Sequence, residues 1–228
     1  MATHAGRARQ PSSAAPPQPA AEAPAGTAKE RALELDIVRA SAAACHACDL
    51  WRHATQTVFG AGPVPARLML IGEQPGDRED LAGEPFVGPA GALLDRALVE
   101  AGLDHEQAFV TNVVKHFKWR PSGKRRLHER PNRAEVGACL PWVESELALV
   151  RPEAVVLLGA TAAQALAGPD ISVTRDRGRP LGLDFAPLVV ATVHPSSILR
   201  SGANRELAME AFVHDLREVA TWLERRAA

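Results

Sequence analysis

The chain has no apolar run near the length of a bilayer crossing, and no hydrophobic signal-peptide core follows Met1. A cytoplasmic protein with no membrane partner is therefore expected. Cysteine is scarce: there are three, an odd and small number that argues against a disulfide framework and fits a reducing compartment. Net charge is also nearly absent. A formal −1 excludes a generally basic nucleic-acid coat protein, although 26 positive charges can still be concentrated locally. The first thirty residues carry no large aliphatic side chain after Met1 and are rich in Ala, Pro, Gly and Ser. Such a segment cannot bury enough apolar surface to offset its ordering entropy, so residues 1–30 read as a disordered tail and 31–228 as the folded domain. Glu22 and the lack of an amphipathic pattern argue against a transit peptide. Two nucleotide-binding signatures are missing, the Gly-Lys-Ser/Thr phosphate loop and the G-x-G-x-x-G turn, and no internal repeat is evident.

What is present is the composition of a folded domain, 46% apolar and 23% charged, with length for one sizeable core. Four short runs, Arg67–Ile71, Ala108–Val114, Ala154–Leu158 and Leu188–Val193, are continuously apolar and β-branched rather than alternating. That pattern predicts a parallel sheet covered on both faces. Helical periodicity falls over Ala90–Ala101, Arg133–Val150, Thr161–Leu166 and Asn204–Arg225. The alternation predicts a three-layer α/β/α sandwich around a four-stranded parallel sheet. Ligands in such sheets bind beyond the carboxyl ends of the strands. There the four runs lead into GEQPG, TNVVKH, GATAA and HPSS. GATAA reads as a plain strand-to-helix turn; the others carry groups suited to chemistry.

Cys45 and Cys48 form a C-x-x-C pair. No strand precedes it, as a thioredoxin-like dithiol requires, and Asp49 stands where haem attachment needs histidine. A metal site needs further ligands; Cys139 and His116 are the natural ones, with His46 and His53 competing. Spacing alone favours zinc over iron–sulfur. In Gly72–Gly76, glycines around a proline make a tight loop offering Glu73 and Gln74 at a strand end. Phe86 is a lone loop aromatic that a core would not require, though it could equally be a lid over the core. His194, before Pro195, could donate a hydrogen bond to an anion in the crevice. From Lys115 to Arg133 eight cations face a single acid, Glu129, with Phe117 and Trp119 interleaved. Cations beside aromatic platforms suit a single-stranded or flipped-out nucleotide.

These motifs together resemble the uracil-DNA glycosylase superfamily, specifically its iron–sulfur branch. GEQPG is similar to that branch's GE(A/Q)PG loop, GEPFVGPAG to its GxPFVGxAG, TNVVK to its strand-two motif and HPS to its closing motif. The resemblance spans about Cys45 to Arg217. Within it, Gln74 in place of the usual alanine, and KRRLH beside KRRIH, resemble the UdgX type close to family 4, with Leu127 for isoleucine. The resemblance implies a [4Fe-4S] cluster on Cys45, Cys48, His116 and Cys139, which displaces the zinc expectation. It implies a pocket in which Phe86 stacks on uracil, Asn112 reads its edge, and Gly72, Gln74 and Asp77 shape the walls. Lys124, Arg125, Arg126 and Ser196 would contact DNA. His194 would stabilise the departing base, and His128, oriented by Glu73, would attack the sugar C1′ and stay bonded to it. A conventional turnover enzyme of the family 4 type and a non-catalytic iron–sulfur DNA-binding protein are the alternatives. Uracil-containing DNA, single-stranded by preference, is the expected partner of a monomer.

Overall fold

The computed structural model describes residues 26–227. Four parallel strands form the central sheet: β1 (Leu68–Gly72), β2 (Ala108–Asn112), β5 (Ala154–Leu158) and β6 (Leu188–Thr192), in the order β2-β1-β5-β6. All twenty residues are buried, as continuous apolar runs covered on both sides must be. Side chains alternate between two cores. Met69, Ile71, Phe109, Val155, Leu157 and Val189 face one side, with α1 (Ala28–Ala43), α4 (Arg133–Val150) and α5 (Ala160–Ala167). Leu68, Leu70, Val110, Val156, Leu158 and Val190 face the other, against α3 (Pro89–Ala101) and α8 (Arg205–Ala227). Each such aliphatic side chain removed from water contributes about 1.5–3 kcal/mol, which fixes both the layers and the strand register. The three-layer α/β sandwich is the architecture expected.

Three features depart from the sequence reading. Helix α1 begins at Ala28, where Thr27 accepts from the Glu30 amide and the Glu30 carboxylate accepts from the Thr27 amide. Order therefore starts a few residues before Arg31, and the rest of the tail assignment, residues 1–25, lies outside the described residues. The run expected to continue to Val114 stops pairing with β1 at Asn112. Gly72, its partner there, is the last residue of β1; Val113 still donates to the Gly72 carbonyl, and Val114 donates to that of Glu73, beyond the strand. The basic stretch, read as a loop, contains an antiparallel hairpin, β3 (Trp119–Ser122) and β4 (Arg125–His128). Its two-residue turn has Gly123 first, at φ +59°, the glycine-first pattern of a hairpin connection. Short helices α2 (Asp77–Ala82), α6 (Val173–Asp176) and α7 (Pro195–Leu199) complete the fold. Among the described residues no helix is long and apolar enough to cross a membrane.

Candidate active site

The strand order reverses direction at β1, whose neighbours are β2 on one side and β5 on the other. At such a switch point the loops splay apart and leave a crevice. A cavity of about 820 Å³ opens there, lined among others by Glu73, Gln74, Asp77, Phe86, Asn112, His128, Thr161, His194 and Ser196. Residues more than a hundred positions apart in sequence meet in one pocket.

Asn112 ends β2, is 3% exposed, and its side-chain amide has no hydrogen-bond partner among the described residues. A buried amide left open toward a cavity is ready for a ligand that supplies both an acceptor and a donor. Its Oδ1 packs against Gly72. A Cβ there would overlap that oxygen and sit 2.9 Å from Phe86 Cζ, so Gly72 is needed for the close approach of Asn112 and the phenyl ring. Phe86 holds φ +59°, a left-handed backbone that costs a bulky residue energy, and its ring lies 6.2 Å from the His194 ring at 28°.

His194 precedes α7, and its Nδ1 accepts from the Ser196 amide at 3.1 Å. A nitrogen accepting from an amide carries no proton, so the neutral ring bears its hydrogen on Nε2 as a donor. Burial pushes this imidazole down to about 4, with the charges of His128 and Arg200 adding to the effect. The Ser196 hydroxyl, assigned above to DNA, lies 2.8 Å from the same Nδ1.

Glu73 follows β1. One oxygen accepts from Thr161 Oγ1; the other lies 3.4 Å from His128 Nε2. Arg130 Nε in turn donates to Thr161 Oγ1 at 3.0 Å. Thr161 comes from GATAA, which sequence reasoning passed over as a turn. Burial lowers the His128 imidazole below its ordinary range, Glu73 opposes that shift, and Arg200 adds to it. His128 is half exposed, at the pocket's mouth.

The basic stretch does less for DNA than its charge implied. Arg126 donates to Asp77 and Asp80 at 2.5 Å each, and its guanidinium lies 5.5 Å from the ring centroids of both Phe117 and Trp119. Phe117 is buried, and Trp119 donates its indole N–H to the His53 carbonyl. Neither ring is a free stacking platform, because both pack the hairpin onto the domain. Lys115 is wholly buried with Glu146 at 2.6 Å, and Lys118 pairs with Glu135. Lys124 and Arg125, at the hairpin tip, are exposed and have no ion-pair partner among the described residues. Gln74 lines the cavity, yet its amide is used on the hairpin: it donates to the Lys118 and Glu129 carbonyls and accepts from the Lys118 amide. Asp77 likewise serves the hairpin through Arg126. Arg130, Thr161, Arg200 and Glu79 are pocket residues that the sequence reading missed.

The four proposed metal ligands sit on three elements on the α1/α4 side. Cys45 follows α1, Cys48 precedes the short turn Asp49–Arg52, Cys139 lies in α4 and His116 follows β2. All three thiols are free, and Cys139 lies close enough to Cys45 and Cys48 for their charges to raise its thiol, which burial already pushes up to about 12. His46 instead stacks on Trp51 at 3.9 Å. Among the described residues no three acid, His or Cys side chains close on one point as a single-ion site requires. A multi-iron cluster spreads its ligands more widely. Two buried thiols, the half-buried Cys48 and an imidazole form a donor set that suits it.

A uracil DNA glycosylase superfamily profile matches residues 59–217, most of the described chain. The chain belongs to the uracil DNA glycosylase superfamily. Curated relatives sharpen the comparison. The chain is 36% identical over 179 residues to a type-4 uracil-DNA glycosylase of Thermotoga maritima, covering 77% of this chain and 90% of that protein. It is 33% identical over 194 residues to a type-4 uracil-DNA glycosylase of Sulfurisphaera tokodaii, covering 82% and 84% respectively. It also matches a DNA polymerase of Bacillus phage SP01, 27% identical over 169 residues, but covers only 17% of that protein.

Proposed function

We propose that this protein excises uracil from DNA by breaking the bond between uracil N1 and the sugar C1′. The observation that carries the proposal is the buried amide of Asn112, unpartnered among the described residues, in one cavity with a neutral His194 whose Nε2–H is the donor left over. The Asn112 amide offers uracil a donor for a carbonyl and an acceptor for its ring N–H, a pairing that cytosine cannot complete. Phe86 would stack on the base. As the bond breaks, its electron pair leaves with the base, and the His194 Nε2–H stabilises the charge on a uracil oxygen without giving up its proton. The base must leave the stack to enter, which costs least in single-stranded DNA, so that form is the favoured substrate. A monomer suffices, since one chain supplies every pocket residue named.

The type-4 relatives favour a turnover reaction. In it Glu73, held by Thr161, takes a proton from a water that attacks C1′. A second reading is favoured by one observation, the position of His128 at the pocket mouth, 3.4 Å from Glu73. There a ring nitrogen of His128, lone pair free, bonds to C1′ as uracil departs, and the imidazolium formed loses its remaining N–H proton to Glu73 or solvent. That bond has no good leaving group, and the protein would stay on the DNA.

Cys45, Cys48, His116 and Cys139 would hold a [4Fe-4S] cluster. Bound there, it would cross-link the segment after α1, the segment after β2 and α4. Visible absorption with iron and sulfide analysis tests it; zinc, or no metal at all, would refute it.

Incubation with a uracil-containing single-stranded oligonucleotide, followed by denaturing electrophoresis, separates the readings. Abasic product alone supports turnover; a slow species that survives heat and detergent supports capture. Unchanged DNA refutes both and leaves a DNA-binding protein.

A further inference from the structure

We propose that Glu79 is a positioning residue for the base pocket: one buried carboxylate that fixes the Glu73 loop and the Phe86 loop against each other. The proposal rests on the uracil-excision reading and extends it to a residue outside the catalytic set.

Glu79 is 8% exposed, and no cation among the described residues pairs with it. Its charge is met by two backbone amides instead. Oε2 accepts from Gly76 N at 3.1 Å, and Oε1 from Gly88 N at 2.8 Å. Gly76 closes the loop that carries Glu73 and Gln74; Gly88 lies two residues after Phe86 and caps the thirteen-residue α3. A carboxylate at the amino end of α3 also meets the favourable end of its dipole. Charge-assisted bonds to two amides cross-link loops that nothing in the sheet ladder connects.

The two glycines carry a second, independent signature. Their φ values are −89° and −90°, a backbone that any residue adopts, so flexibility does not account for them. Space does. A Cβ on Gly76 would stand 2.6 Å from Glu79 Oε2, and one on Gly88 2.8 Å from Oε1. Both positions are small because the carboxylate occupies the room. From Gly88 the constraint passes to Phe86, whose left-handed backbone is held as its carbonyl tucks against Gly91, where any Cβ would overlap it. The Phe86 ring then abuts Gly72 beside Asn112. Without Glu79 both loops keep their residues but lose their mutual register, and the stacking face drifts from the groups that act on the sugar.

The test measures single-turnover uracil release with enzyme in excess, where the rate constant reports geometry in each active molecule and loss of fold lowers only the amplitude. Glu79→Ala is expected to lower the rate constant on the order of tenfold to a hundredfold, the scale of sub-ångström to ångström misplacement. Affinity for a uracil-free oligonucleotide should stay at the wild-type value. Gly88→Ala should slow the wild-type protein and add nothing in the Glu79→Ala background, because the carboxylate it displaces is gone. A wild-type rate constant for Glu79→Ala, or penalties that multiply in the double variant, would overturn the proposal. If Glu79→Ala does not fold, Glu79→Gln serves. It keeps an acceptor for Gly88 and opposes the Gly76 amide with its own N–H groups, so an unchanged rate constant there is equally fatal. Hydrogen exchange at the Gly76 and Gly88 amides separates the cross-link from the chemistry. Faster exchange in the variants is expected, and unchanged exchange refutes the cross-link even if the wild-type protein releases no uracil, a result that would sink the excision reading itself.

Discussion

His128 Nε2 lies 3.4 Å from Glu73 Oε1, and the other oxygen of Glu73 is held by Thr161. The carboxylate is thereby aimed from the end of β1 at a histidine delivered by the hairpin. Arg126, two residues earlier on β4 and so on the same face, anchors that strand through Asp77 and Asp80.

Glu73→Gln removes the base but keeps the shape, and should lower uracil release on the order of 10²–10⁴-fold, the usual contribution of a positioned acid or base. His128→Ala is the more discriminating change. A turnover enzyme should keep most of its uracil release, whereas a capturing one should lose its heat-stable adduct. Timed release assays paired with denaturing gels read both.

Gly72→Ala should abolish excision while leaving the sheet intact. The added methyl overlaps Asn112 Oδ1 and crowds Phe86 Cζ, at the one point where base stacking and base reading meet. Retained activity with a native melting temperature would show that the close approach of Asn112 and Phe86 is dispensable.

The three cations of KRR should separate by salt dependence. Lys124→Ala with Arg125→Ala should weaken DNA binding and flatten the dependence of log affinity on log salt by about 2, one for each phosphate no longer neutralised. Arg126→Ala should leave that slope alone, lower thermal stability and slow the chemistry, because its guanidinium is committed to Asp77 and Asp80.

Much of this was legible in sequence, and what was hidden has a physical reason. The four strands could be read because burial on both faces demands continuous apolar runs. The helix read from periodicity over Arg133–Val150 is matched end to end, and the structure adds an Asn132–Glu135 capping box at its start. Helix α1 was missed although Thr27 and Glu30 form the same device. It buries only Leu35 and Ala42 and leaves Leu33 and Ile37 exposed, so its apolar stripe is faint. The charge of Lys115–Arg133 hid a hairpin, since a run of cations does not say which acids it will meet. Thr161 and Glu79 act through tertiary neighbours, and only the adjacency of β1 with β5 and of the two loops defines them.

Acid should destabilise the fold through His194. Burial holds its imidazole at about 4 against an ordinary 6.5, and the charges of His128 and Arg200 add to the shift. The unfolded chain binds the proton first, so this contribution is complete above about pH 6.5 and is lost as pH falls toward 4. Melting temperatures between pH 7.5 and 4.5 should decline over that window, and His194→Asn should decline less steeply. Parallel curves would place the acid sensitivity elsewhere.

The excision claim meets its most direct test in the release of free uracil from a single-stranded oligonucleotide carrying one labelled uracil, beside Asn112→Ala and a matched cytosine oligonucleotide. The account predicts release from uracil only, and its loss in Asn112→Ala. No released uracil from the folded wild-type protein, or equal release from cytosine, would contradict it.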